Sequence, residues 1–296
     1  MKNKYCFTAV LLLVIALSAG VFTGICRNMQ KDNPEKIFLA VTSFYPVYIA
    51  AANIIGDCPD IKLQNLSEPQ TGCLHDFQLT PEDMKLLSTA DVFLVNGGGM
   101  ESFLPDVAAE YPDLPVVETA GEQILSDGNA HAWMSIKCER QIVQTIVESL
   151  CSLLPGYAEE LRANAAAYDA KLAELEEEQK ELAELSRGKK LISFHEAYEY
   201  LARDYGLQVC YMLNLDEERQ VGAGEVADVL SAARENSVDM IFAEELYGKN
   251  LSDTIKKEMD IEVYYLDTLV RGEYDLDAYI SGMRDNINLL KKAFGV

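Results

Sequence analysis

Apolar positions along this chain follow two alternating patterns. Short continuous apolar runs, the signature of buried strands, are separated by stretches in which apolar residues recur every three or four positions, as on one helix face. In the first half, strands are predicted at Ile37–Val41, Ile61–Leu66, Asp91–Asn96 and Leu114–Val117. Helices are predicted at Val47–Ile55, from Thr80 onward, and at Gln141–Leu154, where Pro155 ends the pattern. Thr80-Pro81-Glu82-Asp83 reads as a helix start: the threonine hydroxyl caps, proline suits the first turn, and the acids meet the helix dipole.

Tyr157–Ser186 reads as one long helix, with Leu161, Ala165, Tyr168, Leu172, Leu175, Leu182 and Leu185 at spacings of three, four or seven. Its Ala, Glu and Lys content favours a helix throughout, and it would run ~45 Å. Strand and helix then alternate again. Strands fall at 191–194, 207–213, 239–245 and 263–268, and helices follow His195 up to Arg203, then at Glu225–Asn236, Leu251–Met259 and Leu276–Phe294. The pattern predicts two similar α/β lobes with mainly parallel sheets, joined by one long rigid helix. The expected divisions are 37–156 for the first lobe, 157–186 for the linking helix and 187–296 for the second lobe.

The N-terminus changes the picture of where this fold works. Lys2 and Lys4 precede an apolar run from Phe7 to Ile25, the layout of an export signal. Thr23-Gly24-Ile25-Cys26 resembles a lipoprotein cleavage box, with isoleucine where a small residue is usual. Residues 1–26 are therefore expected to be a leader or anchor, with Cys26 lipidated or the segment retained uncleaved, and 27–36 a tether. The folded part is expected outside the cytoplasm. An excess of 48 acidic over 25 basic residues gives a net charge of −23, which disfavours nucleic acid and anionic lipid and attracts cations. Beyond the leader, Cys58 and Cys73 close a short loop and are the expected disulfide pair in an exported protein.

Only three histidines occur: His75, His131 and His195. His195-Glu196-Ala197-Tyr198-Glu199 begins like a zinc-hydrolase helix but lacks the second histidine one turn later. His195 instead ends a predicted strand, as does Asp267 in VYYLD. Ligands of open α/β sheets bind beyond the carboxyl ends of strands. Three imidazoles and a carboxylate meeting in the cleft between the lobes would suit a borderline divalent metal, above all zinc.

Four segments carry a resemblance: CLHDFQLTPEDMKLLSTADVFLVNGGGME, NAHAWMS, LISFHEAYEYLARDYGL and FAEELYGKNLSDTIKKEMDIEVYYLD. In this order, with the long helix between the second and third, they resemble the zinc/manganese solute-binding proteins of ABC importers. The resemblance implies one metal held between two lobes by His75, His131, His195 and Asp267. Histidine at the third of these positions implies zinc, with manganese as the other ion the family carries. It also implies delivery to a membrane permease, a monomer tethered through its N-terminus, and no catalysis. The proline that often precedes the second histidine is absent, as is a histidine-rich loop.

Two rival readings follow from the same residues: an exported zinc hydrolase, and an adhesin in which metal serves only structure. NGGGME at 96–101 reads as a turn, because no Gly-Lys-Ser/Thr follows. Tyr198, Tyr200, Tyr264 and Tyr265 read as core. Glu196 reads as a first-turn acid, Glu199 as a solvated helix residue, and Glu244 and Glu245 as acids near the cleft.

Overall fold

The computed structural model describes residues 37–75, 77–125, 128–215 and 221–296, so the leader and tether expected over 1–36 lie outside it. The first lobe is built from β1 (Phe38–Thr42), α1 (Tyr45–Ile55), β2 (Ile61–Asn65), α2 (Pro81–Leu87), β3 (Val92–Val95), α3 (Leu104–Glu110), β4 (Val116–Glu118) and α4 (Ile136–Leu153). After α5 (Ala158–Ser186), the second lobe contains β5 (Lys190–Ser193), α6 (Tyr198–Asp204), β6 (Gln208–Met212), α7 (Ala223–Asn236), β7 (Met240–Ala243), α8 (Glu245–Glu258), β8 (Val263–Tyr265) and α9 (Ala278–Phe294).

The two sheets share one strand order, β2-β1-β3-β4 and β6-β5-β7-β8. The β1–β3, β3–β4, β5–β6, β5–β7 and β7–β8 pairs all run parallel. In each sheet the chain leaves the second strand position outward and returns on its other side. The crevice of such a switch lies at the carboxyl ends of β1 and β3, and of β5 and β7. Central strands covered on both faces must be apolar throughout. Val92–Val95 and Met240–Ala243 are buried at every position.

Thr80 begins α2 as its sequence dictates: its hydroxyl accepts from Asp83 N, and the Asp83 carboxylate accepts from Thr80 N. The helix predicted at Gln141–Leu154 starts earlier, at Ile136, where Ser135 Oγ accepts from Cys138 N. Helix α3, which the apolar pattern did not predict, is only seven residues long and buries little beyond Val107.

Helix α5 packs against α1 and α4 of the first lobe and α9 of the second. Its buried stripe is Leu161, Ala165, Tyr168, Leu172, Leu175, Gln179, Leu182 and Ser186. Leu185, expected on that stripe, is exposed. The inner position one turn beyond Leu182 belongs to Ser186, whose hydroxyl donates to Tyr205 O at 2.6 Å. On the outer edge, Arg140 of α4 grips Asp169 and Glu176 of α5 through three nitrogens at 2.6–2.9 Å. Among the described residues no helix is long and apolar enough to cross a membrane.

Candidate metal centre

Each histidine reaches the crevice by a different local device. His195 lies two residues beyond β5, in a turn that precedes α6. Its backbone is held by Ser193, whose hydroxyl donates to His195 O at 2.7 Å. Ala197 N donates to His195 Nδ1 at 2.9 Å. An imidazole accepting at Nδ1 carries its proton on Nε2, so a metal taking Nε2 must displace that proton or turn the ring over.

His131 precedes a 3-10 turn, Ala132–Met134. Asn129 Oδ1 lies 3.1 Å from His131 N, which donates to it, and 2.9 Å from Nδ1. Asn129 Nδ2 in turn donates to Glu196 O and to the Glu199 carboxylate across the cleft. With Nδ1–H engaged by Asn129, the lone pair of Nε2 is left to bind a metal. Trp133 anchors the same turn, donating from its indole nitrogen to Thr268 O at 2.9 Å.

The loops carrying His75 and His131 both rest on the NGGGME segment. Asn96 Nδ2 donates to Ala130 O, and Leu74 N approaches Met100 Sδ at 3.4 Å. Glu101 is buried, and its carboxylate accepts from Asn96 N, Gly97 N and the Ser43 hydroxyl. Burial raises its pKa, while the hydroxyl and backbone donors pull it down. Gly97, Gly98 and Gly99 all have positive φ, and a Cβ on Gly97 would strike the Glu118 side chain. The segment is thus a buried clasp under two ligand loops, in keeping with a turn rather than a phosphate site.

The structure brings the three histidines together. The His131 ring lies 5.5 Å from that of His75 and 5.0 Å from that of His195, centroid to centroid. His131 is fully buried and His195 is 1% exposed. Burial, then the neighbouring His195 and His75, holds the His131 pKa well below the usual imidazole range, so this ring is neutral, as a ligand must be. His75 Nε2 is buried without a hydrogen-bond partner.

Asp267 is not part of either cluster of donors that could share an ion. Those clusters, within the described residues, are Cys73, His131 and His195, and His75, His131 and Glu196. Asp267 Oδ1 accepts from Leu269 N at 2.8 Å. The residue borders a cavity of about 30 Å³ lined by Tyr45, Ile49, Arg271 and Tyr279 and by none of the histidines. Burial raises its pKa, opposed by the Leu269 N–H and by Arg271.

Three expectations about neighbouring residues are corrected, those for Glu196, Glu199 and the Cys58–Cys73 pair. Glu196 is not in the first turn of α6; it sits in the turn before it, 3.9 Å from His75 Nε2 and 3.6 Å from His131 Nδ1. Glu199 is bound to Asn129 rather than simply solvated. Glu244 approaches Arg271 at 3.7 Å, and neither it nor the exposed Glu245 belongs to the clusters. Cys58 and Cys73 are thiols rather than a disulfide. Cys58 is buried, its pKa pushed up to about 11 by burial and by Glu160, whereas Cys73 Sγ lies 3.6 Å from His131 Nε2. Tyr198 and Tyr200 are core, as expected, but their hydroxyls also donate to Leu266 O and Asn129 O.

Two parallel-sheet lobes on one long helix, with imidazoles from both meeting about 5 Å apart, define a two-lobed solute receptor. The sequence model of one family, zinc-uptake complex component A, periplasmic, matches residues 40–293, and the chain belongs to that family. It is 27% identical to the iron-binding protein YfeA of Yersinia pestis, over all of this chain and 98% of the relative. It is 26% identical to the high-affinity zinc uptake system protein ZnuA of Bacillus subtilis, over 98% of both chains. Among solved structures, FpvC of Pseudomonas aeruginosa in complex with Mn2+ superposes with a TM-score of 0.77 at 25% identity, covering 88% of this chain and 99% of that one. These relatives are named for different metals, so the ion is a question for this chain's own residues.

Proposed function

We propose that this protein is an extracytoplasmic receptor that captures a zinc ion between its lobes and hands it to an ABC importer. One observation carries the reading: the only three histidines of the chain, far apart in sequence, converge with ring centroids 5.0 and 5.5 Å from the buried His131. Three imidazoles, two of them buried, favour a borderline ion such as zinc over the harder manganese. The export-like leader and the acidic surface agree with a cation receptor working outside the cytoplasm, tethered through the N-terminus and acting as a monomer. Such a receptor catalyses nothing; its product is the bound ion presented to a permease.

Glu196 beside two histidines is the observation a zinc-hydrolase reading would use, since that chemistry needs a general base at the metal. The receptor reading gives Glu196 a different task. Its carboxylate is a charged neighbour of the ligands, 3.6 Å from His131 Nδ1 on the side that Asn129 holds and 3.9 Å from His75 Nε2.

The test is elemental analysis of protein purified without added metal, followed by competition titration with zinc and manganese. One zinc per chain, bound far more tightly than manganese and lost in His131→Ala, supports the proposal. No bound metal, or zinc binding indifferent to His131, overturns it. Hydrolysis of ester or peptide substrates by the zinc-loaded protein would favour the enzyme instead.

A further inference from the structure

We propose that Cys73 is a ligand of this metal centre, supplying a thiolate beside His131 and His195. The proposal rests on the receptor reading above and extends it to the ligand set and to the class of metal favoured.

Cys73 and His131 are spaced as two ligands of one ion are. Cys73 Sγ and His131 Nε2 are 3.6 Å apart. A tetrahedral zinc with its usual bonds to sulfur and to imidazole nitrogen separates those two atoms by roughly 3.6 Å. Cys73, His131 and His195 each offer a donor atom within 4.8 Å of the other two. The trio spans the crevice, with Cys73 and His131 from the first lobe and His195 from the second.

The orientation of His131 decides which of Cys73 and Glu196 stands on its coordinating side. Its Nδ1 is taken by Asn129 Oδ1 at 2.9 Å, which leaves Nε2 as the coordinating atom. Nε2 faces Cys73, whereas Glu196 approaches from the Nδ1 side. The thiol therefore lies on the coordinating side of His131, and the carboxylate on the side that Asn129 already orients.

The surroundings suit a thiolate. Gly72, at φ +90°, leaves room for Arg271, whose Nη2 would be 2.7 Å from a Cβ at that position. The Arg271 guanidinium thus packs on the residue just before Cys73, a fixed positive charge beside the proposed sulfur ligand. Cys73 is not tied to Cys58. Asp267, the carboxylate expected in the fourth position, belongs to neither cluster.

A thiolate in place of a carboxylate changes which ions the centre prefers. Soft sulfur favours zinc and disfavours manganese, which prefers oxygen donors. Cobalt(II) is the probe, because thiolate coordination adds an intense near-ultraviolet charge-transfer band to the visible ligand-field bands of a tetrahedral site. The full chain, kept reduced, should show both on titration with cobalt. Cys73→Ser should lose the charge-transfer band and keep visible absorption, and its preference for zinc over manganese should narrow. Visible bands without charge transfer in the wild-type protein, or charge transfer that persists in Cys73→Ser, would overturn the proposal. Failure of the wild-type chain to bind cobalt or zinc at all would instead overturn the receptor reading, and the ligand assignment with it. The wild-type spectrum decides the first point whether or not the variant folds.

Discussion

His131 and His195 meet edge to face, their ring planes at 89° and their centroids 5.0 Å apart, one ring from each lobe. Neither ring is within reach of bulk water, so a metal joining them replaces no strong hydration of the ligands. Losing either ring should remove a bond that nothing nearby can replace. His131→Ala and His195→Ala are each expected to weaken zinc binding by more than about 100-fold, beyond the usual effect of altering an outer-shell partner. Asp267→Ala should cost much less, because Asp267 lies outside the donor clusters. Competition against a chromophoric chelator measures all three. Wild-type affinity in His195→Ala would remove that residue from the ligand set.

Asn129 carries a subtler prediction. It orients His131 through Oδ1 and binds the second lobe at Glu196 O and Glu199 through Nδ2. Asn129→Ala leaves all three histidines in place but releases the His131 ring. Affinity is expected to fall about 10–100-fold, the range for groups that orient a ligand. An unchanged zinc affinity in this variant would show that the Asn129 bond does not set the ring.

The buried His131 also makes folding depend on pH. Its folded pKa is depressed, chiefly by burial, below the unfolded value of about 6.5. Between those two values the unfolded chain binds a proton that the folded chain refuses, so stability is present above about 6.5 and is lost as pH falls below it. In the presence of a chelator, the melting temperature should therefore drop from pH 7 toward pH 5.5. His131→Asn, which has no such proton to gain, should flatten the drop. Equal slopes in the two proteins, measured by calorimetry, would rule out His131 as the source.

The histidines were legible in the sequence because they are few, and His195 was the clearest because it falls just beyond a strand end, where the α/β rule puts ligands. The two lobes were legible because the central strands β3 and β7 keep unbroken apolar runs and α5 keeps its spacing as far as Leu182. Cys73 was not legible as a site residue. In an exported chain a cysteine fifteen positions from Cys58 reads as half of a disulfide, and only tertiary structure turns Cys58 toward Glu160 and Cys73 toward His131. Glu196 was misread for a local reason: helix α6 begins two residues later than its acid-rich start implies. Asp267 lies two residues beyond β8, and its Oδ1 accepts from Leu269 N in its own loop. The strand-end rule locates a residue's backbone and leaves its side-chain direction open.

The last prediction concerns motion on loading. Large closure in a two-lobed receptor needs a hinge that absorbs changes in φ and ψ. The connection here is a helix of 29 residues with neither glycine nor proline inside it, so it lacks the usual causes of a kink. Leu161, Tyr168, Leu172 and Leu175 are buried along it, against helices that belong to both lobes. Rotating one lobe would pull apart packing that stabilises the whole. Leu172→Ala alone should cost about 2–5 kcal/mol, as a fully buried leucine does. Zinc is therefore expected to order the loops bearing Cys73, His75 and His131 and to raise the melting temperature, because it binds only the assembled site. The radius of gyration should stay nearly constant. Small-angle scattering on chelated and zinc-loaded samples checks this, and a clear contraction on loading would mean that the lobes move about α5 despite its stiffness.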